Sequence, residues 1–272
     1  MTIIIIIDPG HGGRDKGGGS NSSWLEKNFV LKLSLYQYTR LQELGIPVEM
    51  TRYTDKYLHS DERVKRVLFS HATYCISNHI NSGGGVGAEL IHSIYTDGSH
   101  ANILAEKIEQ TNQKVRRVFT RTLSYNDQKD YYYMHRETGR VETIIIEYGF
   151  ADSIQDQRKL TKDWKALAEA VVEGICLLTD TPYDNWTNRV GTEDKANAWY
   201  IGKRVESIVD NLRYYYQPDW SDRFLVNTID KGIGFPEIID KLTVENGEQY
   251  QVKNSNGDVY YITANEKYVK VK

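Results

Sequence analysis

The stretch Ile3-Ile4-Ile5-Ile6-Ile7-Asp8-Pro9-Gly10-His11-Gly12-Gly13 decides the fold. Its five consecutive isoleucines form a β-branched apolar run too short to cross a membrane. Bounded by turn residues, such a run reads as a strand buried on both faces, as in a parallel sheet. Proline cannot donate to a ladder and glycine permits a sharp turn, so the strand stops at Asp8-Pro9-Gly10. The turn delivers His11 at the carboxyl edge of the strand, where open α/β sheets bind their ligands.

Outward from this strand, Arg14 to Ser23 is a glycine- and serine-rich loop. It lacks both the spaced Gly-Lys-Ser/Thr and the Gly-x-Gly-x-x-Gly patterns, which excludes nucleotide binding. Ser22 or Ser23 can cap a helix from Trp24 to Leu44, with Glu26 in its first turn and Gly45 at its end. A strand over 46–52 and a helix over 59–72 follow. The third strand, 73–77, runs into Asn78-His79-Ile80-Asn81. Next come a strand over 88–95, a helix over 99–115 and a polar tyrosine-rich stretch. Thr143 to Phe150 is a second buried strand, carrying Glu147, and a helix over 161–178 closes the series. This alternation predicts an α/β fold, a doubly wound and mostly parallel sheet flanked by helices, over residues 1–179.

Composition shifts after Thr179. Residues 180–196 have no apolar period and read as a linker. Residues 197–272 break into short alternating strands, clearest at 205–209, 212–216, 224–226, 250–253 and 259–263. Asn246-Gly247 and Asn256-Gly257 are hairpin-type turn signals. The expectation is a small, mainly-β, SH3-like C-terminal domain.

The totals exclude several classes. Among 272 residues, 40% are hydrophobic and 26% charged, with a net charge of −3, which is ordinary for a soluble globular protein. Nothing suggests nucleic-acid binding or a basic membrane surface. Cys75 and Cys176 lie far apart in apolar patterns and read as buried free thiols. No basic segment precedes the isoleucine run. The chain is therefore expected to be made in the cytoplasm without a signal peptide, not to insert in a membrane, and to be a monomer.

Three residues carry the chemistry of a zinc site. His11 ends the first strand, Glu26 opens the following helix, and His79 ends the third strand. Two histidines and a glutamate leave a fourth position for water, the usual catalytic arrangement. A base free of the metal is also needed, and Glu147 is the candidate. Singly, each has a plainer reading. A histidine at a strand end is more often structural, and a first-turn glutamate is stabilised by the helix dipole. Glu147 stands out, because a carboxylate directly after three isoleucines is destabilising if buried without a partner. His59, His71, His92, His100 and His135 read as surface or packing residues.

These pieces, in this order, resemble the amidase-3 family of zinc-dependent N-acetylmuramoyl-L-alanine amidases, found in autolysins, sporulation amidases and phage endolysins. The matching segments are Ile7-Asp8-Pro9-Gly10-His11-Gly12-Gly13 with Asp15 and Gly17, Glu26 with Asn28, and Val48 through Thr51-Arg52 with Asp55. They continue with Ser77-Asn78-His79-Ile80-Asn81, Arg136-Glu137 and Ile145-Ile146-Glu147-Tyr148-Gly149-Phe150. The resemblance implies one Zn2+ per chain held by His11, Glu26 and His79, with Glu147 as catalytic carboxylate. Asn81 and Arg136 are expected to contact substrate. Three departures stand out: Ser-Asn-His replaces Ser-Ile-His, Glu142 replaces a proline, and Ser153 replaces an asparagine.

The tail resembles the wall-binding domain of Bacillus phage and prophage endolysins, through segments 209–220, 231–236, 249–255 and 260–264. Tyr215 and Trp220 are its expected ligand contacts, although packing is the plainer reading of most tyrosines there. The implied partners are peptidoglycan and a secondary cell-wall polymer or glycan. An endolysin would need a holin-type partner to reach the wall. The alternatives are a host sporulation or autolytic amidase, and a wall-binding protein with an inactive amidase domain.

Overall fold

The computed structural model describes residues 3–184, 198–244 and 247–272. Chain contacts divide it into two units, 1–184 and 185–272. Most of the expected linker and Asn246 of one expected turn lie outside the described residues.

The first unit runs β1 (Ile5–Pro9), α1 (Glu26–Glu43), β2 (Val48–Met50), α2 (Ser60–Phe69), β3 (Tyr74–Asn81), β4 (Ala88–Ile91) and α3 (Ser99–Gln110). It continues with β5 (Val115–Phe119), β6 (Thr122–Leu123), β7 (Asn126–Asp130), α4 (Tyr133–Arg136), β8 (Glu142–Phe150) and α5 (Ile154–Leu178). Six strands form one sheet in the order β2-β1-β3-β8-β4-β5. The first four are mutually parallel, β4 runs antiparallel to β8, and β5 is parallel to β4. The mostly parallel sheet read from the sequence is therefore present. Ile5, Ile6 and Ile7 are all buried, as a strand covered on both faces requires.

Several boundaries differ from the pattern reading, each for a local reason. Helix α1 begins at Glu26 rather than Trp24, and neither Ser22 nor Ser23 caps it. The Asn21 carboxamide accepts from the Ser23 and Trp24 amides instead, and the Ser20 hydroxyl accepts from the Glu26 amide. Gly45, at φ +75°, closes α1 as expected. Helix α3 stops at Gln110. Asn112 turns the chain with φ +63°, and Val115–Phe119 becomes an edge strand. The tyrosine-rich stretch forms the β6–β7 hairpin and α4. Helix α5 starts seven residues earlier than its apolar period, and Asp163 leaves helical geometry between the polar first part and the apolar second. Both cysteines are buried and free. No helix among the described residues is long and apolar enough to cross a membrane.

The three departures have structural partners. Asn78 donates to Ser34 Oγ and Gln37 Oε1 and accepts from the Tyr148 hydroxyl, a closed network under α1. Glu142 donates its amide to Thr73, which proline could not do, and its carboxylate meets His100 Nδ1 at 2.9 Å. Ser153 caps α5 by accepting from the Asp156 amide.

The second unit is β-rich. It contains β9 (Val205–Ser207), β10 (Leu212–Tyr215), β11 (Leu225–Ile229), β12 (Gly234–Phe235), β13 (Glu237–Val244), β14 (Gly247–Lys253), β15 (Val259–Thr263) and β16 (Val269–Val271). Among the described residues these make a five-stranded sheet, β11-β10-β15-β14-β13, and a three-stranded one, β12-β9-β16. Val205, Phe235, Ile238, Val252 and Ile262 form its core, with Tyr200, Tyr214 and Tyr260 packed against it.

Candidate active site

The turn after β1 is fixed by buried charge. Asp8 accepts from Thr51 Oγ1 at 2.6 Å and Ser77 Oγ at 2.7 Å, and pairs with Arg63 of α2. Burial alone would raise the Asp8 pKa, but Arg63 and the two hydroxyls hold it below the ordinary value. Arg63 also donates to the carbonyls of Pro9 and His11. Arg52, itself buried, donates to those of Pro9 and Gly10. Two arginines thus clamp the backbone that presents His11. His11 itself sits at φ +60°, a conformation uncommon for a side-chain-bearing residue and frequent at functional sites.

His11, Glu26 and His79 converge. His11 Nε2 and His79 Nδ1 each lie 3.2 Å from Glu26 Oε1, and the three donor atoms fall within 4.8 Å of one another. Asp15 Oδ2 meets His11 Nδ1 at 2.8 Å, which fixes the ring and leaves Nε2 toward the cluster. The Glu26 carboxylate is 1% exposed and accepts from the backbone amides of Gly19 and Ile80. A Cβ at Gly10 would lie 2.2 Å from the His79 ring, and one at Gly17 would lie 2.3 Å from Glu26 Oε2. Only glycine lets the backbone approach these donors so closely.

The charged groups of the cluster stabilise one another. Burial opposes charge on His11, but Glu26 and Asp15 push its pKa up to about 9. Burial likewise opposes charge on Glu26, yet His11 and His79 hold it well below the carboxylate range. Zinc ligands at about 2.0–2.2 Å from a tetrahedral ion lie roughly 3.3–3.6 Å apart, so the donor types fit that ion and the two 3.2 Å distances to Glu26 are close to its spacing.

Glu147 faces His79 directly in the β3–β8 register. Its Oε2 is buried without a hydrogen-bond partner. Burial pushes its pKa up to about 7, with Glu26 and Glu89 adding to the rise and His79 and His11 opposing it. A carboxylate at that value is suited to exchanging protons near neutrality.

The remaining expected contacts fare differently. Asn81 is close by, with its amide donating to Glu89 Oε2 at 2.9 Å. Arg136 is not brought to the cluster. Its guanidinium donates to the carbonyls of Asp130 and Tyr131, and it lines a cavity of about 810 Å³ beside Glu142 and Thr143, at the opposite end of β8 from Glu147. In the second unit Tyr215 is only 4% exposed and stacks edge-on against Trp220, an environment of packing. Trp220 is half-buried and donates its indole N–H to Val244 O. Pattern reading passed over Asp15 as an orienting residue. It also passed over Glu89, whose signal was the one that marked Glu147: a carboxylate within an apolar strand.

Three donors that could hold a metal ion, facing a buried carboxylate across one strand pair, form an arrangement that metallohydrolases also use. Known proteins narrow that class. The profile of the Amidase_3 family, described as N-acetylmuramoyl-L-alanine amidase, matches residues 5–176. The chain belongs to this family of peptidoglycan amidases. The endolysin of Bacillus phage SPP1 is 27% identical over 282 residues, covering 100% of this chain and 99% of that protein. The N-acetylmuramoyl-L-alanine amidase BlyA of Bacillus subtilis is 49% identical over 71 residues, which span 26% of this chain and only 19% of BlyA. The catalytic domain of CwlV, an amidase from Paenibacillus polymyxa, shares the fold with a TM-score of 0.58 at 24% identity, covering 66% of this chain and 99% of that one.

Proposed function

We propose that residues 1–179 are a zinc-dependent N-acetylmuramoyl-L-alanine amidase, that residues 197–272 bind the cell wall, and that 180–196 link them. The substrate bond is the amide between the lactyl carboxyl of N-acetylmuramic acid and the L-alanine of the stem peptide. The convergence of His11, Glu26 and His79 opposite Glu147 carries this reading.

His11, Glu26 and His79 would hold the ion. When bound, zinc supplies a Lewis acid that polarises the scissile carbonyl and acidifies the attacking water. Glu147 takes the proton from that water as its oxygen adds to the carbonyl carbon. It then delivers the proton to the alanine nitrogen as the carbon–nitrogen bond breaks. Asp15 keeps the His11 ring oriented throughout.

The full-length match to a phage endolysin supports a lytic role against Gram-positive walls, with synthesis in the cytoplasm and release through a holin-type partner. Among the described residues of the second unit, Trp199, 61% exposed, and Tyr268, 45% exposed, are the aromatic rings most open to a glycan.

Mass analysis of digested peptidoglycan tests the reading: new L-alanine amino termini without new reducing sugars are expected. Reducing ends without alanine termini would make the chain a glycosidase instead. Protein purified without added metal should carry about one zinc, lost on His11→Ala.

A further inference from the structure

Beyond Glu147, the same rung of the sheet continues to the edge. Glu147 on β8 faces Glu89 on β4, and Glu89 faces Arg117 on β5. The register slips between Ala88 and Glu89, so Arg116 is an extra residue and β5 carries a bulge. Bulges re-aim side chains and gather at sheet edges beside active sites. Here the bulge brings both arginines onto one carboxylate. Glu89 is 3% exposed, and its Oε1 accepts from Arg116 and, at 2.9 Å, from Arg117 Nε. Oε2 accepts from the Asn81 amide at 2.9 Å and from Arg117 Nη2 at 3.4 Å.

This arrangement has one more positive charge than Glu89 requires. Both guanidinium side chains are nearly half exposed, at 43% and 49%, and Arg117 stacks 3.8 Å from the Phe119 ring centroid. A guanidinium has five N–H donors in a fixed fork. Glu89 takes one donor of Arg116 and two of Arg117, which leaves further N–H groups on each half-exposed side chain. Neighbouring strands are about 4.8 Å apart, which puts this rim roughly 10 Å from the Glu147 backbone. An extended dipeptide spans about 7 Å. The first carboxylate of a departing stem peptide, on the residue after alanine, falls within reach of the arginine side chains.

We propose that Arg116 and Arg117, oriented by buried Glu89, bind this stem-peptide carboxylate and make the enzyme select anionic stems. The inference rests on the amidase reading above, and the experiment separates the two. The full-length, zinc-loaded protein is titrated calorimetrically with L-alanyl-D-isoglutamate and with its α-amide. The corresponding N-acetylmuramoyl dipeptides are assayed for hydrolysis alongside. The wild type should bind the free acid about tenfold more tightly than the amide, the worth of a charge-assisted contact. The double variant Arg116→Gln/Arg117→Gln should bring that ratio close to one, and Arg117→Lys in the otherwise native chain should keep part of the preference. Equal affinity for acid and amide in the wild type overturns the proposal. So does a double variant that loses both affinities equally and keeps the ratio, since that is what mere neutralisation of Glu89 predicts. Absence of hydrolysis with the binding preference intact would break the amidase reading and leave the carboxylate site standing.

Discussion

Asn78 and His79 are neighbours on β3, and successive strand residues face opposite sides of a sheet. Each is the centre of a polar cluster, and the two clusters are built differently. Around Asn78 the donors and acceptors of Ser34, Gln37 and Tyr148 are matched to one another. Around His79, a carboxylate and two imidazoles crowd together, and Glu147 Oε2 has no partner. A closed network specifies packing. An open one, held rigidly by Arg52, Arg63 and Asp15, is what a site for chemistry needs. Polarity in the interior does not distinguish the two, but satisfaction does.

The sharpest break of this comparison is Glu147→Gln. Wall hydrolysis should fall by about 10²–10⁴, while zinc content and melting temperature stay near wild type. Retained lysis would remove Glu147 from the mechanism. On the other side of β3 the effect should be on stability. Asn78→Ile strands the partners under α1 and should cost about 2–4 kcal/mol in denaturant unfolding. Adding Ser34→Ala, Gln37→Leu and Tyr148→Phe should recover most of the loss, because the unmatched groups go too. If Asn78→Ile leaves stability unchanged, the network is not structural.

A smaller effect concerns Asp8, whose folded pKa lies below its ordinary 3.8. Its stabilisation is fully present above that value and is lost as pH falls through the folded pKa. Melting temperatures recorded downward from about pH 6 should therefore fall more steeply below about pH 4 in the wild type than in Asp8→Asn. Parallel curves would show that the Arg63 pair does not couple to folding. Smallest of all, Tyr215→Phe should leave pelleting with purified walls unchanged, whereas Trp199→Ala should weaken it; the reverse order would return Tyr215 to the ligand surface.

How much of this was legible in the sequence depended on locality. The buried strand, its stop at Pro9-Gly10 and the suspicious carboxylate of Glu147 are written in runs of a few residues, and the structure keeps them. His11, Glu26 and His79 could be set at one sheet edge because parallel strands align their carboxyl ends. What stayed hidden depends on register. Nothing in Val115-Arg116-Arg117-Val118-Phe119 says that it is an edge strand rather than the end of a helix. The pairing of Glu89 with both arginines appears only once β4 and β5 are aligned, bulge included. The start of α5 was missed because Ile154 to Lys162 is largely polar, and helices show themselves by apolar period. The burial of Tyr215 was hidden for a related reason: an aromatic on a strand reads the same whether it faces core or solvent.

The bulge on β5 has one further consequence, for the solubility of the chain. An edge strand presents a row of unpaired backbone groups on which another chain can grow a sheet. β5 is such an edge, and two adjacent arginines with a slipped register make it a poor template for a partner strand. The opposite edge, β2, is only three residues long. Replacing both arginines with apolar residues would leave a flatter, uncharged border, so such variants should self-associate at concentrations where the native chain stays dispersed.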